Sequence, residues 1–226
     1  FYTSAFADKV FAIDQDSPRF KVNADVTPES MYASGWKCAG TAVPVFSLRT
    51  EDSFGIGDFH DLKKMVDWAV ATGQRVIQLL PVNDTTMTGT WVDTYPYSAN
   101  SIYALHPQFV YLPDAGVRRD SSYKALKAEL EALPELDYER VNAEKDRLMR
   151  KAFAATWAKV SKSAEYKEFV KVNANWLDAY CAFRILLHKT GTGDTSKWGK
   201  YASYSEKKAA AVLAADRAEA DYHAFV

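Results

Sequence analysis

The stretch Gln74–Pro107 reads QRVIQLLPVNDTTMTGTWVDTYPYSANSIYALHP. Its opening run, Val76-Ile77-Gln78-Leu79-Leu80, has the length and the β-branched, apolar character of a buried strand. Pro81 stops strand pairing, because proline has no N–H to donate. A long loop follows, crowded with Asn83, Asp84, Trp91, Asp93, Tyr95, Tyr97, Ser98 and Asn100. Aromatic rings suit flat apolar ligand faces, and carboxylates and amides suit hydroxyl groups. The plainer alternative is an ordinary loop with its own small aromatic core.

Upstream, Ala39–Leu48 (AGTAVPVFSL) reads as a first strand buried on both faces, with Pro44 against it. Gly55 and Gly57 in the next loop allow close backbone approach or positive φ. A helix is expected over 58–71, with Asp58 as N-cap, Asp61 adding negative charge to the first turn, and Phe59, Leu62, Val66 and Ala69 on one face. Strand, glycine-bearing loop, capped helix and strand make a βαβ unit, whose strands should be parallel. Residues 1–35 read as an irregular arm or a linker from an upstream module, and 36–112 as the βα units with the site loop. Residues 113–226 read as a helical subdomain.

Past Pro107, Gln108–Leu112 reads as a short strand or extended edge. Helices are expected over 121–132, 141–160 (Leu148, Ala152, Ala155 and Lys159 along one side), 164–172 and 176–189, and as one alanine-rich helix over 205–225 capped by Ser205. Lys145, Arg147, Lys151, Lys167 and Lys171 read as solvated helix faces.

The composition is that of a globular chain: 226 residues, 48% hydrophobic, 25% charged, formal net charge −1. That balance argues against nucleic acid or an anionic membrane as partner, since both select a basic surface. No apolar run is long enough to span a bilayer, and no secretory leader pattern opens the chain. Cys38 and Cys181 sit in apolar settings and read as reduced core residues of a cytoplasmic protein. The histidines His60, His106, His188 and His223 are scattered, so no metal site is expected. The first residue is Phe1, which points to a processed chain or a fragment.

Four stretches, in this order, resemble the 4-α-glucanotransferases (amylomaltase or disproportionating enzyme, glycoside hydrolase family 77). They are Gly40–Phe59 (GTAVPVFSLRTEDSFGIGDF), Gly73–Asn83 (GQRVIQLLPVN), Asp93–Pro107 (DTYPYSANSIYALHP) and Trp176–Leu187 (WLDAYCAFRILL). The resemblance is nearest to the longer subgroup, which carries starch-binding modules ahead of the catalytic barrel. It implies the N-terminal portion of a TIM (β/α)8 barrel with a large helical insertion after the second strand. A whole barrel takes roughly 250 residues and eight strands.

The family transfers α-1,4-glucan segments to a sugar 4-hydroxyl by retaining double displacement, with one carboxylate as nucleophile and another as acid and then base. Its catalytic carboxylates are expected after Val226, so no catalytic residue is assigned here and residues 1–226 alone are expected to be inactive. The resemblance makes Tyr97 the first substrate-binding candidate, with Ser98 and Trp91 behind it and Asp93 as a loop-organising or sugar-binding carboxylate. Asp178 and Tyr180 are expected to hold helices together. The expected partner is an α-1,4-glucan. Self-association is expected through the open edge that a truncated barrel sheet would leave. The alternatives are a non-catalytic maltooligosaccharide binder, a helical interaction protein or an unrelated hydrolase.

Overall fold

The computed structural model describes residues 10–14, 17–22 and 38–226. They form a mixed α/β, mostly helical architecture in two compact units. The first unit holds the described residues up to Val82 together with Leu126–Leu136, and the second holds Asn83–Ala125 and Asp137–Val226.

The first unit contains a four-stranded sheet of order β2-β1-β4-β3. Its strands are β1 (Val10–Asp14), β2 (Ser17–Val22), β3 (Gly40–Val43) and β4 (Val76–Leu79). β3 and β4 pair in parallel, Gly40 opposite Val76 and Val43 opposite Leu79, as the βαβ reading requires. Two expectations are corrected. The arm over 1–35 is not irregular at 10–14 and 17–22, which form an antiparallel hairpin; the rest of that stretch lies outside the described residues. The edge of β4 that two barrel strands alone would leave open, expected to be covered by helices, a second copy or the rest of a barrel, is filled instead by β1, with Phe11 opposite Ile77. Strand edges attract any chain that can complete their hydrogen bonds, and here the same chain does so.

The first strand is also shorter and less buried than expected. β3 ends at Val43, its residues alternating between exposed and half-buried. Pro44 supplies no ladder N–H, and Val45–Ser47 coil into a 3-10 turn. Burial shifts to the loop beyond, where Phe54 and Ile56 are almost wholly enclosed. The two glycines there act as expected: Gly55 takes φ 72°, and a Cβ at Gly57 would stand 2.2 Å from the Val45 carbonyl oxygen.

Helix α1 (Phe59–Ala71) follows, its Leu62, Val66 and Ala69 buried. Asp58 Oδ1 accepts from the amides of His60 (2.8 Å) and Asp61 (3.3 Å), and Asp61 Oδ2 accepts from the Asp58 amide (3.0 Å). This reciprocal pair is a capping box built from two buried aspartates. Thr50 Oγ1 donates to the other Asp61 oxygen at 2.5 Å, which ties the preceding loop to the helix start.

Among the described residues, the remaining helices are α2 (Ser121–Glu131), α3 (Tyr138–Val160), α4 (Ala164–Val172), α5 (Leu177–Thr190), α6 (Glu206–Ala215) and α7 (Arg217–Phe225). The core of the second unit joins Leu177, Cys181, Ala182 and Ile185 of α5 to Ala209, Val212 and Leu213 of α6 and Ala220 of α7. Gly191 closes α5 in the left-handed conformation.

Several further expectations fail for physical reasons. The helix expected over 205–225 breaks at Asp216 (φ −143°, ψ 64°), whose carboxylate is held by Lys189 Nζ at 2.9 Å. Aspartate is a poor interior helix former, and the break aims Tyr222 and Phe225 at Phe153 of α3. Lys145 is not solvated: it falls on the buried stripe Tyr138, Val141, Leu148, Met149 and Ala152, and its amine donates to the Gln108 carbonyl at 2.6 Å. That stripe leaves Ala155 and Lys159 exposed. Gln108–Leu112 is no strand, because Pro107–Phe109 coil into a 3-10 turn capped by His106. Cys181 is buried as expected, whereas Cys38 is exposed.

The Asp58 cap is testable by chemical denaturation. Asp58→Ala leaves first-turn amides unpaired and should cost on the order of 1–2 kcal/mol, while Asp58→Asn, which keeps an acceptor, should recover most of it. Equal loss in both variants would show that burial, not capping, makes Asp58 matter.

Candidate functional site

The quoted loop folds in the second unit as a closed arch on two pins. Its base is the antiparallel bridge between Asn83 and Leu105, with the Asp84 amide donating to the Ala104 carbonyl at 2.9 Å. The first pin is Asp93, in the 3-10 turn Trp91–Thr94. Its buried carboxylate accepts from the amides of Met87 (3.0 Å), Thr88 (2.9 Å) and Gly89 (2.7 Å), and from Thr88 Oγ1 (3.0 Å). Thr85 Oγ1 adds a bond to the Asp93 carbonyl at 2.6 Å. The second pin is Asn100, whose amide donates to the Asp84 carbonyl and whose Nδ2 donates to the Thr86 carbonyl, both at 2.7 Å.

Between the pins the chain projects outward. Tyr95, Tyr97 and Ser98 are exposed, and a turn closes between them through the Ser98 amide and the Tyr95 carbonyl at 3.2 Å. The rings of Tyr95 and Tyr97 lie 5.5 Å apart at 48°. Tyr97 is 51% exposed, Tyr95 60% and Trp91 70%, which is unusual for aromatics of this size. Of the candidates read from the sequence, Tyr97, Ser98 and Trp91 therefore present themselves to solvent. Asp93 turns inward, its oxygens met by the loop's own donors, as a loop organiser does.

Segment 84–89, which carries both pins, is anchored through a group that the sequence reading left without a role. Asp84 is fully enclosed. Its carboxylate accepts from Tyr180 Oη (2.7 Å), Arg184 Nη1 (3.0 Å), the Thr86 amide (3.0 Å) and Thr86 Oγ1 (2.7 Å). Burial alone pushes this carboxyl up, but Arg184, His106 and the two Thr86 donors outweigh it and hold it below the usual carboxylate range. Tyr180 and Arg184 lie one turn apart on one face of α5. Tyr180 thus ties helix to loop rather than helix to helix, while Asp178 stands exposed in the first turn. The available signal was the Tyr-x-x-x-Arg spacing inside the quoted helix motif, which faces one acceptor.

His106 sits beside this anchor. Its Nδ1 accepts from the Gln108 amide (3.1 Å), which places the proton on Nε2, 3.1 Å from Tyr138 Oη. Burial lowers its pKa to about 4, so the ring is neutral at pH 7. A cleft of about 550 Å³ in the same unit is lined by Thr86, His106, Tyr138, Arg150, Arg184 and Glu219, among others. Within the described residues no group of His, Cys, Asp or Glu could hold a metal ion, and no helix is long and apolar enough to cross a membrane.

Neither buried carboxylate of the loop is free for acid–base chemistry, since Asp84 is ion-paired and Asp93 is fully hydrogen-bonded. What the arch presents is two tilted aromatic faces and an exposed hydroxyl, on a backbone fixed at both ends.

The family model described as 4-alpha-glucanotransferase matches residues 43–226. Among similar proteins is 4-alpha-glucanotransferase DPE2 of Oryza sativa subsp. japonica, 39% identical over 201 residues, which cover 87% of this chain and 21% of the rice protein. The 4-alpha-glucanotransferase of Chlamydia pneumoniae is 31% identical over 185 residues, covering 77% of this chain and 34% of that protein. That of Synechocystis is 26% identical over 196 residues, covering 84% and 37%. The chain thus spans between about a fifth and two fifths of the length of these relatives.

Two histidines, His106 buried and His223 largely so, set a pH dependence. Burial lowers both His106 and His223 to about 4 from an ordinary 6.5. The unfolded chain therefore binds these protons first, and stability falls as pH drops from 6.5 toward 4, by on the order of 3 kcal/mol for each histidine. Below that window the depressed Asp84 carboxyl adds a further loss as it protonates. His106→Asn, which keeps an acceptor for the Gln108 amide, should flatten about half of the decline between pH 6.5 and 4 in a thermal-unfolding series. An unchanged slope would remove His106 as its source.

Proposed function

The chain belongs to the 4-alpha-glucanotransferase family, and from that premise we propose that it forms the front part of the catalytic module of such an enzyme. The reaction is transfer of an α-1,4-glucan segment to the 4-hydroxyl of glucose or another glucan, by retaining double displacement through a glycosyl-enzyme. β3, α1 and β4 are the first βα units of a TIM barrel, whose third strand takes in the whole enzyme the β4 edge that β1 fills here, and 113–226 is the helical insertion after its second strand. Residues 36–112 carry the site loop, and residues 1–35 join the module to whatever lies upstream. The enzyme works in the cytoplasm.

The observation that carries this reading is the arch. Tyr95, Tyr97 and Ser98 stand exposed between the Asp93 and Asn100 pins, and Trp91 is exposed just ahead of the first pin. Tyr97 stacks on a glucose face of the donor glucan and offers its hydroxyl to a sugar oxygen. Ser98 and Trp91 contribute a hydroxyl and a second flat face. Asp93 acts on the sugar only through the loop it organises.

The commitments of Asp84 and Asp93 support a division of labour. The nucleophile and the acid–base carboxylate belong to later parts of the whole enzyme, and residues 1–226 alone do not turn over. Transfer prevails over hydrolysis only where acceptor contacts hold a sugar hydroxyl in line and limit attack by water. The aromatic arch supplies the donor side of that arrangement.

Two measurements test the proposal. Residues 1–226 incubated with maltotriose should release no glucose and form no longer oligomers. Maltoheptaose should quench or shift tryptophan fluorescence, and Tyr97→Ala should weaken its affinity about tenfold, the loss of about 1.4 kcal/mol expected of one stacking ring. Binding indifferent to Tyr97→Ala would remove the arch from the glucan site. Robust turnover would refute the placement of the acids elsewhere.

A further inference from the structure

We propose that Arg184 and Tyr180 are positioning residues: through Asp84 they set where the arch presents Tyr95 and Tyr97. This rests on the reading of the arch as a glucan-binding face.

The chain of contacts is short. Both pins close onto segment 84–89: Asp93 onto 85 and 87–89, Asn100 onto 84 and 86. The arch can therefore be no better placed than that segment. Asp84 is its only buried charge, and Arg184 Nη1 at 3.0 Å and Tyr180 Oη at 2.7 Å tie that charge to α5. Arg184 also approaches the Thr86 carbonyl, which already accepts from Asn100. Met87 of the same segment packs its side-chain end onto Gly193, where a Cβ would stand 2.0 Å from Met87 Cε.

α5 itself is fixed by burial of Leu177, Cys181, Ala182 and Ile185, a set that excludes Tyr180 and Arg184. The helix supplies rigidity, and these two polar side chains hand it to the loop. Loss of either leaves the core packing intact and releases the loop base. Stacking on a sugar face needs an orientation held within tens of degrees, so release appears as weaker glucan binding.

The experiment compares wild type, Arg184→Gln, Arg184→Lys and Tyr180→Phe, with Tyr97→Ala as control. Amide hydrogen exchange reads the pin, and maltoheptaose titration reads the face. In Arg184→Gln and Tyr180→Phe the Asn100 amide should exchange about tenfold faster or more, while the amides of α5 keep their protection. Maltoheptaose affinity should fall about fivefold to tenfold. Arg184→Lys keeps the charge but not the planar fork, and should restore affinity to within about threefold of wild type. Tyr180→Phe removes one oxygen and keeps the ring, so it reports even where Arg184→Gln fails to fold.

Unchanged Asn100 exchange in Tyr180→Phe, and in Arg184→Gln where that variant folds, overturns the proposal. So does wild-type affinity in those variants when Tyr97→Ala binds weakly. If Tyr97→Ala also binds as wild type, the glucan reading of the arch is what fails, and Asn100 exchange alone decides the positioning role.

Discussion

A carboxylate with no exposure to water is the constraint on which the second unit's loop depends. Asp84 could not stay ionised in that position without compensation, because desolvation of an isolated charge costs several kcal/mol. Arg184 supplies the opposite charge, and Tyr180 and Thr86 fill the remaining lone pairs. A buried ion pair of this kind adds little net stability over an apolar equivalent. What it adds is geometry, since every donor to Asp84 has a direction. The loop that starts at Asn83 is thereby attached to a helix one hundred positions away in sequence.

The same loop holds a second buried carboxylate with the opposite kind of partner. Asp93 meets three backbone amides and a threonine hydroxyl, all within 87–89. Its work is local: it curls 87–93 into a nest and leaves no lone pair for a ligand. Asp84 acts between elements, and Asp93 within one. Residue type and proximity in sequence do not separate these roles; the direction of the available donors does. The exposed side chains of the arch, Trp91, Tyr95, Tyr97 and Ser98, are then free of any structural duty to fold the loop, which explains how so much aromatic surface can face solvent.

Features that rest on local chemistry were legible in the sequence. The Asp58 cap, the freedom required at Gly55 and Gly57, the apolar face of α1 and the parallel pairing of β3 with β4 follow from residue type and spacing within a few turns. Features that rest on distant partners were not. Lys145 looks like any surface lysine until the Gln108 carbonyl is placed above it. Asp216 looks like a helix residue until Lys189 offers it a partner outside the helix. The paired strands β1 and β2 gain their meaning only from the edge of β4. In the site, the exposed aromatics could be picked from the string, because aromatics between turn formers are conspicuous, but the importance of Asp84 lay in Tyr180 and Arg184.

The proposed aromatic binding face confronts a conflict between exposure and order. Rings buried enough to be held still cannot be reached, and rings free enough to be reached lose binding energy to their own motion. The arch resolves it by moving the constraint off the rings and onto the backbone at either side. Asp93 and Asn100 fix the two ends, segment 84–89 carries both, and Asp84 passes the load to α5. The rings between need no partner of their own beyond each other. Preorganisation of this sort reduces the entropy lost on binding without occupying the surface that does the binding. On the proposed reading it also accounts for an enclosed aspartate paired with a largely buried arginine beneath a face that uses neither charge: the pair is costly to desolvate, but it passes helix rigidity to side chains that never touch it.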